Sequence, residues 1–137
     1  MSTARPITPG LFRDEPDGPR LLAGRCAACS RLHFPATSTC PYCGTADATP
    51  AAIGARGTLW LWTVVSTRPP GYRGPVPFGF GVVELADDGL RVVTRLTEAD
   101  LASLRHGLPM RLVLDTLFTD DEGADVVSYA YQPEHDA

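Results

Sequence analysis

The 137-residue sequence contains no lysine and no asparagine, so all 12 of its basic residues are arginines. Without lysine, the chain cannot form a Schiff base on a lysine side chain. It also lacks any apolar run of the roughly 18–20 residues that a membrane-spanning helix needs. Its first ten residues, MSTARPITPG, have neither the charged start nor the apolar core of a signal peptide. These absences predict a cytoplasmic protein without a membrane partner.

Positive charge is also scarce, because 16 acidic residues outnumber the 12 arginines and give a formal net charge of −4. Non-specific affinity for nucleic acid comes mostly from the neutralisation of phosphates. Since the arginines are dispersed among more numerous acids, the sequence predicts no nucleic-acid partner.

The composition divides the chain into three regions. Residues 1–24 are rich in proline, glycine and charge and are predicted to form an irregular N-terminal arm. Residues 25–47 hold every cysteine, and residues 48–137 hold most of the β-branched and aromatic residues. The stretch TADATPAAIGARG is predicted to be a linker between the last two regions. We therefore expect a small cysteine module that leads into one compact domain.

The cysteines form two Cys-x-x-Cys pairs separated by ten residues: Cys26, Cys29, Cys40 and Cys43. Each pair brings two sulfurs to one side of a tight turn, and two such turns supply the tetrahedral thiolate cage that zinc and iron accept. With four protein ligands no position stays open for water or substrate, so the ion is structural or redox-active. Structural zinc is the favoured interpretation, and a rubredoxin-like iron site is the alternative.

The residues between the two pairs, RLHFPATST, are long enough for a β-hairpin. His33 lies in this segment and is an alternate candidate ligand. The favoured interpretation is a partly exposed hairpin histidine that binds no metal.

The last region reads as five strands. They are predicted in the segments LWLWTVVST, FGFGVVEL, LRVVTRL, LPMRLVLDTLF and DVVSYAYQP. Asp87-Asp88-Gly89 is a hairpin signal between the second and third. Gly79 and Gly81 indicate a strongly bent strand or a close backbone approach. A short helix is predicted within residues 97–107, capped by Thr97 and ended by Gly107. This order matches the OB-fold, a five-stranded Greek-key barrel.

Several motifs in this order carry a family resemblance. They are GRCAACSRLHFP, CPYCG, ARGTLWLWTVV, PVPFGFGVVEL and LRHGLPMRLVL. From about residue 21 to 131 they resemble the rubredoxin-like zinc-ribbon/OB-fold proteins once catalogued as domain of unknown function 35. The resemblance implies a mostly β fold, with an N-terminal zinc ribbon at 25–47 and an OB barrel with one short helix at 48–137. Two departures are Ser30, where glycine is more usual, and an N-terminal arm that looks less helical.

The resemblance also implies a function. Members of this family accompany thiolase-like enzymes that act on acyl-CoA, including thiolases and aldolases of lipid, steroid or aromatic degradation. It implies a zinc-binding accessory subunit of a hetero-oligomer, whose thiolase-like partner carries the catalytic residues. The sequence agrees, because its cysteines are committed to metal and it has no G-x-S-x-G elbow. We therefore expect no catalysis by the chain alone.

Two candidate surfaces follow from the barrel. OB-folds bind ligands with the loop after the first strand, so Arg68 and Arg73 are predicted to meet the phosphates of coenzyme A, with Tyr72 against its adenine or pantetheine arm. The alternative is a solvated, proline-stiffened loop. Aromatic residues predicted at the interface with a partner subunit are Trp60, Trp62, Phe78 and Phe80, although barrel core is the competing fate of at least one tryptophan.

Two other functions stay open at this stage. Zinc ribbons and OB-folds both serve in nucleic-acid binding, and the aromatic residues here are of the type that stacks on bases in single-strand binders. A rubredoxin-like electron carrier is the other alternative, if the metal is iron.

Overall fold

The computed structural model describes residues 4–46 and 48–134. Within them the chain forms ten strands: β1 (Ala4–Pro6), β2 (Phe12–Glu15), β3 (Gly18–Cys26), β4 (Leu32–His33), β5 (Ala48–Ile53), β6 (Arg56–Val65), β7 (Phe78–Leu85), β8 (Leu90–Leu96), β9 (Pro109–Thr119) and β10 (Asp125–Pro133). Two single 3-10 turns lie at Ala86–Asp88 and Leu101–Ser103. No helix in this part of the chain is long and apolar enough to cross a membrane.

Five of these strands close into a barrel, as the OB-fold prediction requires. β6, β7 and β8 pair as an antiparallel meander. β10 then pairs in parallel with β8 and antiparallel with β9, and β9 returns to β6. Each of the five strands coincides with a segment predicted from the sequence, and the β7–β8 connection turns at Gly89, which has a positive φ of 67°.

The short helix predicted after β8 is present as a single turn, but its predicted cap is wrong. Only Leu101–Ser103 forms a turn, of the 3-10 type, and Asp100 rather than Thr97 caps it by accepting a hydrogen bond from the Ala102 backbone N–H at 3.1 Å. The predicted close approach at the β7 glycines is confirmed. A Cβ on Gly79 would collide with the Glu98 carbonyl, because the loop after β8 packs directly on the β7 backbone.

The N-terminal arm and the linker are not irregular, contrary to the prediction. Within residues 4–24 the chain forms β1, which lies parallel to β10, and the hairpin of β2 and β3. The linker contains β5, which pairs antiparallel with β3 over six residues. Proline and glycine did not break these strands because most lie at edges or turns, where no ladder hydrogen bond is lost. The division at residues 24 and 47 stays a prediction.

The two sheets share one hydrophobic core. Leu21 and Ile53, from the sheet of β2–β5, pack with barrel residues such as Leu59, Met110 and Tyr131. At the junction the buried Tyr131 hydroxyl donates a 2.8 Å hydrogen bond to the Gly54 carbonyl. A Cβ on Gly54 would lie 2.7 Å from that hydroxyl, and its φ of +90° also favours glycine. The sheet of β2–β5, which we call the ribbon sheet, is therefore fixed to the barrel by packing and by a buried hydrogen bond.

Candidate metal centre and neighbouring surfaces

The two Cys-x-x-Cys segments adopt the same local turn. The backbone N–H of Ser30 donates to the Cys26 carbonyl, and the N–H of Gly44 donates to the Cys40 carbonyl, both at 2.9 Å. Ser30 and Gly44 hold positive φ angles of 64° and 77°. Because glycine adopts this conformation at lowest cost, the geometry explains why Ser30 is a departure from the usual residue. The two Cys-x-x-Cys turns, which we call knuckles, are therefore equivalent.

The knuckles bring all four thiols together. Their Sγ atoms lie within 4.8 Å of one another, with Cys26–Cys43 at 3.5 Å and Cys29–Cys40 at 3.7 Å. These distances are too long for disulfides. A tetrahedral ion with zinc–sulfur bonds of about 2.3 Å would hold its sulfurs about 3.8 Å apart. The chemistry and the spacing of this donor set therefore fit one thiolate-bound ion.

Backbone amides donate hydrogen bonds to two of the sulfurs. The N–H of Cys29 donates to the Cys26 sulfur, and the N–H of Tyr42 donates to the Cys40 sulfur, each at 3.4 Å. Both accepting cysteines are 1% exposed. Each of these two buried sulfurs therefore has a backbone hydrogen-bond donor in its own turn.

The two outer thiols differ in acidity. The hydroxyl and the backbone N–H of Thr45 hydrogen-bond to the Cys43 sulfur and lower its pKa to about 6. The Arg31 backbone N–H lowers the pKa of Cys29, but desolvation and the three neighbouring thiols outweigh it and raise this pKa to about 11. Without metal, the cluster therefore keeps a proton on Cys29 at neutral pH, and metal binding must displace it.

His33 lies outside this cluster and is buried at 3% exposure, so the prediction of a partly exposed histidine is wrong. Its strand, β4, pairs back onto β3 rather than forming a hairpin within RLHFPATST. The ring packs against Gly24, where a Cβ would lie 2.5 Å from Nε2. Nε2 accepts a hydrogen bond from the Thr37 backbone N–H at 3.2 Å. The side chain is therefore part of the ribbon's packing.

The loop between β6 and β7 uses most of its predicted coenzyme A residues internally. The Arg68 guanidinium donates to the Gly74 carbonyl and lies 5.9 Å from the centroid of the Tyr72 ring. Tyr72 stacks on Phe78 at 4.7 Å and donates its hydroxyl to the Pro75 carbonyl. These contacts give the loop a defined shape, and its role in ligand binding stays a prediction.

Arg73, which is exposed like Arg68, makes its contacts outside its own loop. Its guanidinium lies 4.5 Å from the centroid of the Phe118 ring and 3.4 Å from the Asp121 carboxylate. Both members of this ion pair are at least half exposed. Exposed pairs contribute little to stability, so Arg73 can exchange its partner for an anionic ligand.

The four aromatic residues predicted at an interface lie in different environments. Phe78 is 8% exposed and closes the barrel beneath Tyr72, whereas Phe80 is 39% exposed. Trp62 is half-buried against the core, and the half-buried Trp60 carries the Arg91 guanidinium 3.7 Å from its ring centroid. The structure therefore leaves Phe80 as the most open of the four, and their part in an interface stays a prediction.

Phe80 belongs to an exposed apolar patch on the outer face of the barrel. Leu61 on β6 pairs with Val82 on β7, which pairs with Val93 on β8. Leu61 and Val93 are 53% and 55% exposed, the highest values among the apolar residues of these strands. We call Leu61, Phe80, Val82 and Val93 the outer patch. Sequence reasoning named Phe80 but missed Leu61, because a β-bulge between Leu59 and Leu61 shifts the alternation of β6.

An arginine borders the outer patch with one donor unused. Arg95 pairs in register with Phe80 and reaches across the sheet to Asp115, 3.0 Å away. Its Nε atom is buried and has no hydrogen-bond partner among the described residues. A buried donor without an acceptor costs free energy, and this one is closed off from the exposed surface of the patch.

Models of known protein families match both halves of the chain. The ChsH2 rubredoxin-like zinc ribbon domain matches residues 13–47, and the ChsH2 C-terminal OB-fold domain matches residues 51–115. The two matches lie in the order of the ribbon sheet and the barrel. They cover most of the elements described above.

Two characterised relatives differ in size. A DUF35 domain-containing scaffold protein of Pyrococcus furiosus is 26% identical over 115 residues, which is 83% of both chains. A probable enoyl-CoA hydratase alpha subunit of Thermomonospora curvata is 34% identical over 103 residues, which is 75% of this chain but 31% of that protein. The chain therefore spans less than a third of the hydratase subunit.

Two solved structures share the fold. A chain of the Ltp2-ChsH2(DUF35) aldolase is 31% identical, with a TM-score of 0.61 over 83% of this chain and 84% of that one. A DUF35-family protein of unknown function from Sulfolobus solfataricus has a TM-score of 0.52 at 11% identity, over 84% of this chain and 76% of the other. The second likeness supports the fold alone.

Proposed function

The chain belongs to the DUF35 family of ChsH2-type zinc-ribbon and OB-fold proteins, and on this premise we propose that it is a zinc-binding accessory subunit of a thiolase-type enzyme. The complex would form or cleave a carbon–carbon bond of an acyl-CoA thioester in the cytoplasm. The chain would stabilise its partner and help to form the acyl-CoA site. Lipid or steroid degradation is the setting that the resemblance suggests.

The observation that supports this proposal most is the likeness to the aldolase chain. It covers more than four fifths of both chains at 31% identity. The name of that structure pairs a DUF35 protein with a second protein in an aldolase, and the hydratase relative is named as a subunit. Both names place a relative of this chain in an enzyme of more than one subunit, and the hydratase name adds acyl-CoA chemistry.

The chain's own side chains support an accessory role. All four cysteines lie in the metal cluster. His33 is buried in the ribbon, and the Nδ1 atom of His106 lies 3.1 Å from the Trp60 carbonyl. Among the residues that the structure describes, neither histidine hydrogen-bonds to a serine or cysteine that it would activate for covalent catalysis. His135, the third, lies outside the described residues.

Zinc suits the cluster as a structural ion. In zinc-finger peptides a structural zinc contributes about 10–16 kcal/mol of binding free energy at pH 7. Four thiolates leave no open coordination position, so the ion would stabilise the fold and perform no hydrolysis. Iron fits the same four sulfurs, and metal analysis of the purified chain distinguishes structural zinc from a rubredoxin-like redox site.

The outer patch is the surface best suited to the partner. Its exposed apolar residues on three adjacent strands resemble the apolar core of protein interfaces. A thiolase-like partner would cover Leu61, Phe80 and Val93. Trp62 would support this face from beneath, and Trp60 would lie at its edge beside Arg91.

The partner contact can be tested with the candidate thiolase-like protein and substitutions on and off the patch. Leu61→Asp and Val93→Asp should each weaken the complex by about tenfold or more, because each would bury an unpaired charge. Leu101→Asp is the control, since Leu101 is 59% exposed but lies in the 3-10 turn outside the patch. Sedimentation of the mixed proteins gives the affinities.

Two results would contradict the proposal. One is a complex that tolerates both patch substitutions as well as it tolerates Leu101→Asp. The other is turnover of an acyl-CoA thioester by the purified chain alone.

The ligand loop requires a separate titration. Acyl-CoA added to the complex should bind more weakly when Arg73 is replaced by alanine, because a cation near the phosphates is lost. Arg68→Ala should weaken binding by loosening the loop around Tyr72. Unchanged affinity in the double variant would remove this chain's loop from the acyl-CoA site.

A further inference from the structure

A cavity of about 680 Å³ lies where the ribbon sheet meets the barrel. Its walls are the β2–β3 hairpin on one side and the first half of β9 on the other, with the β5–β6 connection between them. Small-molecule sites have volumes of roughly 300–1,000 Å³ and often lie at such junctions. The cavity is separate from the four thiols, and none of the loop residues 68–75 lines it.

Three arginines from three different strands reach this cavity: Arg20 on β3, Arg56 on β6 and Arg111 on β9. The whole chain has a formal net charge of −4. The wall of the cavity nevertheless carries three guanidiniums and only two carboxylates, those of Asp14 and Asp17. We name this space the arginine cavity. Its charge is of the sign that attracts anions.

Two of the arginines are direct cross-strand neighbours. Arg56 and Arg111 are opposed in the antiparallel register of β6 and β9, so their side chains leave the same face of the sheet. Like charges in this position destabilise a sheet. Arg111 forms no ion pair within the part of the chain that the structure describes. An anion between the two guanidiniums would remove this repulsion.

The third arginine is already oriented. Arg20 donates to the Pro19 carbonyl at 2.8 Å and to the Asp17 carboxylate at 3.1 Å, and its side chain is 21% exposed. In contrast, the Arg56 side chain is 72% exposed in its 3.1 Å contact with Glu134. Such an exposed pair is weak. Arg56 is therefore able to turn towards a ligand, while Arg20 presents a fixed guanidinium.

The remaining wall includes apolar groups. Val113 lies on the same face of β9 as Arg111, and Pro19 lines the cavity from the hairpin. Leu112 also borders the cavity, but its side chain is 2% exposed and packs in the barrel core. Arginine binds phosphate through paired N–H donors. From the three guanidiniums and this apolar wall, we infer that the arginine cavity binds an organic phosphate, with the phosphates between Arg56 and Arg111 and the organic part along β9.

Calorimetric titration of the metal-loaded full-length chain at low ionic strength tests the inference. The probes are inorganic pyrophosphate, ADP and the uncharged adenosine. We expect ADP and pyrophosphate to bind, with ADP tighter, and adenosine not to bind measurably. Arg111→Gln should weaken the binding of both anions by roughly tenfold or more, the usual effect of losing hydrogen bonds to a charged group. Arg56→Gln should act in the same direction.

Arg105→Gln is the matched control, because it removes the same charge from an exposed arginine that does not line the cavity. It should leave both affinities unchanged. Pyrophosphate binding without a gain for ADP would restrict the ligand to inorganic phosphates and contradict the organic assignment. Absence of anion binding, or equal weakening by Arg105→Gln and Arg111→Gln, would overturn the site itself.

This inference goes beyond the accessory role and does not depend on it. The titration uses the chain without a partner, whereas the partner test uses the outer patch. Failure of one experiment therefore leaves the other unaffected.

Discussion

The two knuckles of the metal cluster share one backbone turn but are held in place differently. Cys26 ends β3, which pairs with β5 on one side and with β4 near the knuckle. Cys40 and Cys43 lie in residues 34–46, where the structure shows no strand. Identical turns can thus be supported by a sheet or by little beyond the cluster itself.

This contrast implies that a bound metal stabilises the second knuckle more than the first. The first knuckle has a backbone ladder that persists without an ion. For the second, the main supports are the 2.8 Å hydrogen bond from the Cys40 N–H to the Thr45 carbonyl and the contacts of its sulfurs. A bound ion would tie this poorly supported segment to the sheet-supported one.

Removal of the metal should give the largest effect. Because the ion contributes on the order of 10 kcal/mol in zinc-finger peptides, chelation should release residues 34–46 while the barrel stays folded. Hydrogen exchange should show lost protection at Gly44 and Cys40 and retained protection in β7 and β8. Equal loss in both regions would contradict the difference between the knuckles.

Serine substitutions measured in the presence of chelator should give the next largest effect. Cys26→Ser places a hydroxyl in a site that is 1% exposed and should lower the free energy of unfolding by about 1–3 kcal/mol. Cys43 is exposed, so Cys43→Ser should change it by less than about 0.5 kcal/mol. Urea unfolding measures both. Equal losses would indicate that the second knuckle is as well supported as the first.

Exchanging the residues after each pair should have smaller effects of opposite sign. Gly44→Ala places a Cβ at a φ of 77° and should destabilise the metal-bound chain by about 1 kcal/mol. Ser30→Gly relieves the same conformation at 64° and should stabilise it by about 0.5 kcal/mol. Thermal unfolding with saturating zinc tests the pair. A loss for Ser30→Gly would show that the serine side chain stabilises its turn.

The smallest expected effect is a shift in the pH of metal release. Thr45 lowers the pKa of Cys43 to about 6, so protons compete with the metal for this sulfur only as pH falls towards that value. Thr45→Val removes the hydroxyl, raises the pKa and should move half-release to higher pH by a few tenths of a unit. Thr49→Val, which alters a hydroxyl outside the cluster, is the control. A zinc-indicator titration gives the midpoints.

The sequence predicted the barrel well because its strands are signalled locally. Alternating β-branched residues and the Asp-Asp-Gly turn predict β7 to β10 to within a residue and β6 to within three, and cysteine spacing predicts the cluster. Features that depend on strand register could not be predicted from the sequence. The meeting of Arg56 with Arg111 needs the pairing of β6 with β9, and the exposure of Leu61 follows from a bulge. Pro- and Gly-rich composition concealed β1, β2 and β5, which are stabilised by partners distant in sequence.

The junction at Gly54 has a mechanical consequence. The Tyr131 hydrogen bond to the Gly54 carbonyl and the shared hydrophobic core oppose rotation of one sheet against the other. A subunit that binds the barrel would therefore also set the direction of the four-cysteine cluster. The orientation of the two sheets is set when the single chain folds, so assembly would dock one pre-oriented unit and would reduce the entropy cost of ordering two tethered parts.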